Sequence, residues 1–223
     1  MIAGFLIIYP LFARTISALG SESATRQLDT SMPYWLSNES DRVTWREDKS
    51  RQFDQFNHLV CVVMLPVPRE YLTGAAPLND RCLMIGGLPE AELLAAVWRE
   101  LNDHRDLNVA GWCIRDQIWP RLLNRSLCLG VTVPDWAKPN LSRKWLDVEM
   151  DDLSMMYSCG VYDKFRPLPR LHDTLSFWLS REFPNEDMLM LRAETDPNNP
   201  ENMATACLYA KGMAEVLRRY LKA

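Results

Sequence analysis

Short runs of consecutive apolar residues alternate along the chain with stretches in which apolar residues recur every three or four positions, and the two periods predict strands and helices in turn. Phe5-Leu6-Ile7-Ile8-Tyr9 is bulky and apolar at every position, the pattern of a strand buried on both faces, and Pro10 is expected to end its pairing. His58 to Leu65 is a second run, β-branched and closed by Pro66 and Pro68; Arg81 to Ile85 is a third, ended by Gly86-Gly87. The proline- and glycine-containing connection between these two predicts antiparallel neighbours. Pro89-Glu90 then opens an acidic first turn, and Leu93, Leu94, Val97, Trp98 and Leu101 fall at helical spacing. Leu107 to Trp112 reads as a fourth strand, followed by a helix that carries Ile118, Leu122, Leu123 and Leu127 and stops at Gly130.

The remainder reads as helical over Leu146 to Tyr157 and Leu171 to Leu179. A turn at Asp196-Pro197-Asn198-Asn199-Pro200 precedes a closing amphipathic helix, Glu201 to Lys222, with Cys207, Ala210, Met213, Ala214, Leu217 and Leu221 on its apolar side. Strand, helix, strand, helix in this order implies a right-handed crossover and an α/β sheet covered on both faces. From Ser21 to Gln55 the composition turns polar around Met32-Pro33-Tyr34-Trp35, which predicts a long connection with one short helix. With 223 residues the chain is expected to form one domain, 1–223, able to bury a sizeable core without metals or disulfides.

Composition narrows the partners. Hydrophobic residues make up 48% and charged residues 24%, which excludes a disordered chain, and the net charge of -4 counts against tight non-specific binding of long nucleic acid. The six cysteines (Cys61, Cys82, Cys113, Cys128, Cys159 and Cys207) form no C-x-x-C pair and no Cys/His cluster, so they read as reduced packing thiols in a cytoplasmic setting. Ile2 to Phe12 lacks a basic leader and a small-x-small cleavage site and is too short to span a membrane, so a buried strand is expected there and no membrane partner.

Candidate chemistry is sparse. No glycine-rich phosphate loop, nucleophile elbow or H-E-x-x-H pair is present, and His58, His104 and His172 are dispersed in positions that packing explains. Asp116, Asp147, Glu149, Asp151, Asp152 and Asp173 are the carboxylates that could hold metal ions, but four of them crowd one short segment, the pattern of a solvated face with capping acids.

Cys113-Ile114-Arg115-Asp116-Gln117-Ile118-Trp119-Pro120-Arg121-Leu122-Leu123-Asn124-Arg125-Ser126-Leu127 resembles a motif Asn-Gly-x-x-Phe-Asp-x-Pro-x-Leu-x-x-Arg-Ala-Leu, keeping Pro, Leu, Arg and the final Leu in register. Trp145-Leu146-Asp147-Val148 is similar to a short Asp-Leu segment of the same family, and Leu168 to Leu179 to its Ser-Leu-x-x-Leu-Ala helix. Tyr209 to Leu217 is similar to the closing motif Tyr-Cys-x-x-Asp-Val. Together with the order of elements, these patterns resemble the 3′-5′ exonucleases related to the proofreading domain of B-family DNA polymerases. The resemblance implies a ribonuclease-H-like mixed sheet flanked by helices and a two-metal nuclease site.

Where that family places its metal-binding acids, this sequence has neutral residues. Tyr9-Pro10-Leu11 stands at the first motif, Ile118 at the second and Met213 at the third, and only Tyr209 matches. A pocket so composed would not hold Mg²⁺ or Mn²⁺, so the resemblance implies a catalytically inactive exonuclease-like domain, with no cofactor, kept for binding. Single-stranded nucleic acid is one expected partner, reached by Trp112, Trp119 and Trp136 with Arg115, Arg121 and Arg125; a protein complex is the other. Two alternatives remain open. One is an active exonuclease using Mg²⁺ or Mn²⁺ on displaced ligands from Asp116, Asp147, Glu149 and Asp173; the other is a purely structural subunit.

Overall fold

A strand with no polar face belongs in the middle of a sheet, and β1 (Gly4–Arg14) takes that place. The computed structural model describes residues 4–14, 29–30, 32–36, 38–50 (47–50 as backbone), 57–79, 81–138, 150–157 and 170–222. β1 pairs antiparallel with β2 (Asn57–Pro68), which pairs antiparallel with β3 (Leu83–Gly86). On its other side β1 runs parallel to β4 (Asn108–Gly111), and β4 runs parallel to β5 (Met150–Asp152). The five strands form one mixed sheet in the order β3-β2-β1-β4-β5, an α/β arrangement consistent with the ribonuclease-H-like fold.

Helices cover both faces. In chain order they are α1 (Glu39–Ser50), α2 (Arg69–Thr73), α3 (Glu90–Asp103), α4 (Trp119–Cys128), α5 (Leu153–Tyr157), α6 (Leu171–Leu179), α7 (Glu186–Thr195) and α8 (Pro200–Lys222). Because strand side chains alternate, Leu6, Ile8 and Phe12 of β1 face α3 and α4, packing with Leu94, Trp98 and Trp119. Phe5, Ile7, Tyr9, Leu11 and Ala13 face the opposite way, against α6, α7 and α8. A register shift between Leu11 and Phe12 leaves Val60 as an extra residue in β2, so Val60 and Cys61 both point to the α8 side. Each fully buried β1 side chain such as Ile7 or Ile8 contributes about 1.5–3 kcal/mol relative to exposure.

The structure departs from the sequence reading in several places. β1 does not stop at Pro10 but continues to Arg14; its pairing with β4 covers only Phe5 to Ile7, so past that point one edge is open and a proline interrupts no second ladder. Residues 150–157 are not the end of one helix: Met150–Asp152 form edge strand β5 and α5 begins only at Leu153, while 146–149 lie outside the described residues. Leu127 is 81% exposed, not on the buried side of α4. Helices α2 and α7 have no counterpart in the periodicity reading, and much of the polar connection 21–55 lies outside the described residues. No helix among the described residues is long and apolar enough to cross a membrane.

Candidate functional site

The ends of parallel strands β1 and β4 open onto a cavity of about 150 Å³ whose walls include Tyr9, Leu11, Trp112, Ile118, Arg121 and Glu186. Crevices beyond the carboxyl ends of such strands are where α/β sheets place their ligands. Two turns deliver the walls. Cys113 takes a left-handed backbone (φ 51°) two residues after β4, and the chain then winds through one π-helical turn, Ile114–Ile118, into α4. Asp152 holds that turn from the end of β5: Oδ1 accepts from the Cys113 amide at 3.0 Å and Oδ2 from the Arg115 amide at 3.2 Å. The same Oδ1 also accepts from the Ser154 amide and hydroxyl, so this acid is committed to organising backbone.

Four of the five positions aligned with the exonuclease motifs share the apolar cluster on the α8 face. The Tyr9 and Tyr209 rings lie 5.0 Å apart at 33°, and Leu11 and Met213 are buried in the same cluster. Ile118 lines the cavity beside Tyr9 and Leu11. Tyr209 is fully buried, stacks on Phe183 at 6.2 Å, and its hydroxyl donates to the Pro184 carbonyl. Burial holds both tyrosine hydroxyls protonated well above their usual 10.0, and Glu186 adds to the effect on each. Burial also pushes the Cys113 thiol up to about 11.

Glu186 is the carboxylate at this cavity that sequence reasoning missed. It sits in the first turn of α7, behind an Asn185 cap whose side chain accepts from the Asp187 amide at 2.8 Å. Its Oε1 accepts from the Tyr9 hydroxyl at 3.5 Å and its Oε2 from the Leu171 amide at 2.9 Å, with His172 Nδ1 3.6 Å away. Pro184-Asn185-Glu186-Asp187 is a readable helix start, an N-cap followed by acids. That this start lies beneath β1 is a tertiary fact with no local signal.

The proposed metal ligands do not converge in the described residues. Asp116 is exposed in the π turn, and Asp173 is exposed on α6, 3.3 Å from His172 Nε2; Asp147 and Glu149 lie outside the described residues. Among the described residues no group of three or more His, Cys, Asp or Glu side chains is placed to hold a metal ion. The residues lining this cavity do not fit a pair of divalent cations, because Tyr9, Leu11 and Ile118 supply no anionic oxygen and Glu186 is already engaged.

Of the expected nucleic-acid contacts the structure buries Trp112 and Trp119 and leaves Arg115 exposed. Trp119 is fully buried, edge-on to Trp98 at 5.3 Å, and donates Nε1–H to the Ala137 carbonyl at 3.2 Å, so neither face is open to a base. Trp112 is buried edge-on to Trp178 at 6.4 Å. Arg125 forms a bidentate pair with Glu90, whose Oε1 also accepts from the Leu59 amide. The Arg121 guanidinium lies over Phe12 at 4.9 Å, and Arg115 donates Nε–H to the Met150 carbonyl. Half-buried Trp136 is covered by the Arg105 guanidinium at 5.3 Å. These residues do not form one basic, aromatic face.

No family model matches the sequence, and no curated protein matches it.

Proposed function

We propose that the chain is a catalytically silent exonuclease-like domain that serves as a binding module, with a protein as its partner. The observation that carries this reading is that Tyr9, Leu11, Tyr209 and Met213 share one buried apolar cluster and Ile118 lines the cavity beside Tyr9 and Leu11, where a two-metal site needs clustered carboxylates. A nuclease of that type draws both its nucleophile and the stabilisation of its leaving oxygen from the ions, so neutral side chains at these positions remove the reaction rather than slow it. Partner choice follows from what remains exposed. Trp119 and Trp112 are packed inside, the net charge is -4, and large apolar side chains such as Leu127 and Phe177 (81% and 79% exposed) stand on the surface.

The test is incubation with end-labelled single-stranded DNA in Mg²⁺ or Mn²⁺, followed by direct binding at low salt, where phosphate contacts are strongest. The expected result is no metal-dependent shortening and no binding tighter than the roughly 100 μM of weak non-specific association. Metal-dependent 3′ shortening that disappears in Asp116→Asn or Asp173→Asn overturns the silent reading. Strong, salt-sensitive oligonucleotide binding overturns the choice of a protein partner.

A further inference from the structure

We propose that the groove beside α4 binds the hydrocarbon chain of a fatty acid, whose carboxylate is held by Lys138. The site is distinct from the neutral cavity at the strand ends, and it does not depend on whether the domain's partner is a protein. The groove has a volume of about 840 Å³, within the roughly 300–1,000 Å³ of ligand-sized clefts. Pro120, Leu123 and Leu127 of α4, at i, i+3 and i+7, form one wall. Gly130 (φ 66°) follows the helix, and the chain then runs back until the Ala137 carbonyl meets Trp119 Nε1 at 3.2 Å. On the way Val131 and Val133 form the other wall, and Lys138 is left at the Pro120 end.

The inner polar groups of the groove are already committed. Ser126 Oγ accepts from Trp98 Nε1 at 2.8 Å and donates to the Leu122 carbonyl at 2.8 Å. The carbonyls that end α4 are taken up by its own turn: Arg125 accepts from the Leu129 amide at 3.1 Å, Leu127 from Gly130 at 3.3 Å and Ser126 from Val131 at 2.8 Å. The other polar residues of the lining, Asn124 and Thr132, are exposed to solvent. A peptide laid along these walls would find few partners for its amides, whereas a hydrocarbon chain needs none. Leu127, 81% exposed, would be covered by the bound chain.

Charge decides the head group. Among the described residues of the lining, Lys138 is the one that carries a charge. Its Nζ pairs with Asp135 at 2.7 Å, but the two side chains are 52% and 96% exposed, and a pair so open to solvent contributes little and exchanges readily. An apolar trough with one cation at its end complements a molecule with an apolar body and one anion. The cavity of about 630 Å³ beside β5 makes the contrast, since Arg115, Asp151 and Asp152 bring both signs to its walls.

The experiment titrates the full chain calorimetrically with dodecanoate below its micellar concentration. Expected are one dodecanoate per chain and a weakening of up to about fourfold for each CH₂ removed through decanoate to octanoate. Dodecyltrimethylammonium, with the same chain and the opposite charge, should bind more weakly. Lys138→Gln should weaken dodecanoate by about two- to fivefold without weakening the cationic amphiphile. Leu127→Ser should weaken both and leave the thermal midpoint in place, because the side chain is exposed; Phe177→Ser, on α6, should change neither. In a Cys128→Ser background, Leu127→Cys should react with a maleimide and be shielded by dodecanoate. The assignment is overturned by no saturable binding of the monomer, by a preference for the cationic amphiphile, or by binding indifferent to Leu127→Ser. Capture by anionic phospholipid vesicles alone would make the face a membrane contact and overturn it too, as would a Leu127→Cys variant that resists the maleimide without ligand, since the groove would then already be covered.

Discussion

Tyr209 is the one residue at the aligned site positions that matches in kind, and the structure gives it a packing role that a single atom tests. Its ring is fully buried between Tyr9 at 5.0 Å and Phe183 at 6.2 Å, and its hydroxyl donates to the Pro184 carbonyl. Tyr209→Phe keeps both ring contacts and removes the donor, leaving a carbonyl without that partner. The cost of such a loss is about 1–3 kcal/mol. For a domain of this size each kcal/mol moves the thermal midpoint by about 2–4 °C, so a value near 1.5 kcal/mol lowers it by about 3–6 °C. Tyr209→Leu also gives up two aromatic pairs, about 0.5–1.5 kcal/mol each, and shrinks a buried side chain, for a total of about 3–5 kcal/mol. Circular dichroism through thermal and urea transitions reads both. A Phe variant as stable as the parent would show that the hydroxyl contributes nothing to the fold. If the Phe variant kept its midpoint but lost a metal-dependent 3′-shortening activity, the hydroxyl would belong to catalysis and the silent reading would fail with it.

Gly212→Ala should destabilise despite the better helix propensity of alanine, because the new Cβ would lie 2.8 Å from Phe183 Cε1 and 3.0 Å from Leu175 Cδ1; a net loss of about 1–2 kcal/mol in urea unfolding is expected, and a gain would show that Phe183 yields freely. Burial lowers the His58 pKa below its usual 6.5, so the unfolded chain binds that proton more readily; stability is full above about pH 6.5 and falls on acidification below it, and His58→Gln should flatten this slope in a pH series of denaturation midpoints. Glu90→Gln leaves the Arg125 guanidinium, only 14% exposed, without its carboxylate and should cost about 2–4 kcal/mol. A double-mutant cycle with Arg125→Met should then return a coupling of at least about 1 kcal/mol; strict additivity would refute the pairing.

The central strands were readable because their chemistry is one-sided: β1 and β2 are apolar at nearly every position, and that alone demands burial on both faces. Helices α3 and α8 were readable from their stripes. What failed was local punctuation overridden by tertiary context. Pro10 looks like a terminator, yet it is tolerated because β4 pairs with β1 only as far as Ile7. The acids from Asp151 onward looked like a helix face, yet Asp152 ends an edge strand and caps the turn after β4. Helix α7 escaped notice because its apolar residues do not concentrate on one side: Met188 and Leu191 face solvent while Leu189 and Ala193 are buried. Glu186 escaped with it, although it lines the cavity. A tryptophan beside arginines reads alike in the sequence whether it stacks on a base or fills a core, and the structure packs Trp112 and Trp119 inside.

The same atoms cannot serve a hydrated metal pocket and this core. Leu11 and Met213 are almost wholly removed from solvent, and the Tyr9–Tyr209 contact fills the space between β1 and α8. A carboxylate in either position would have to be desolvated at a cost of several kcal/mol unless cations and water came with it. Neutral side chains there extend the apolar cluster that joins the sheet to α8. Glu186 shows how far that goes. The described carboxylate lining the cavity is spent on the Tyr9 hydroxyl and the Leu171 amide, fastening the starts of α6 and α7 to the sheet.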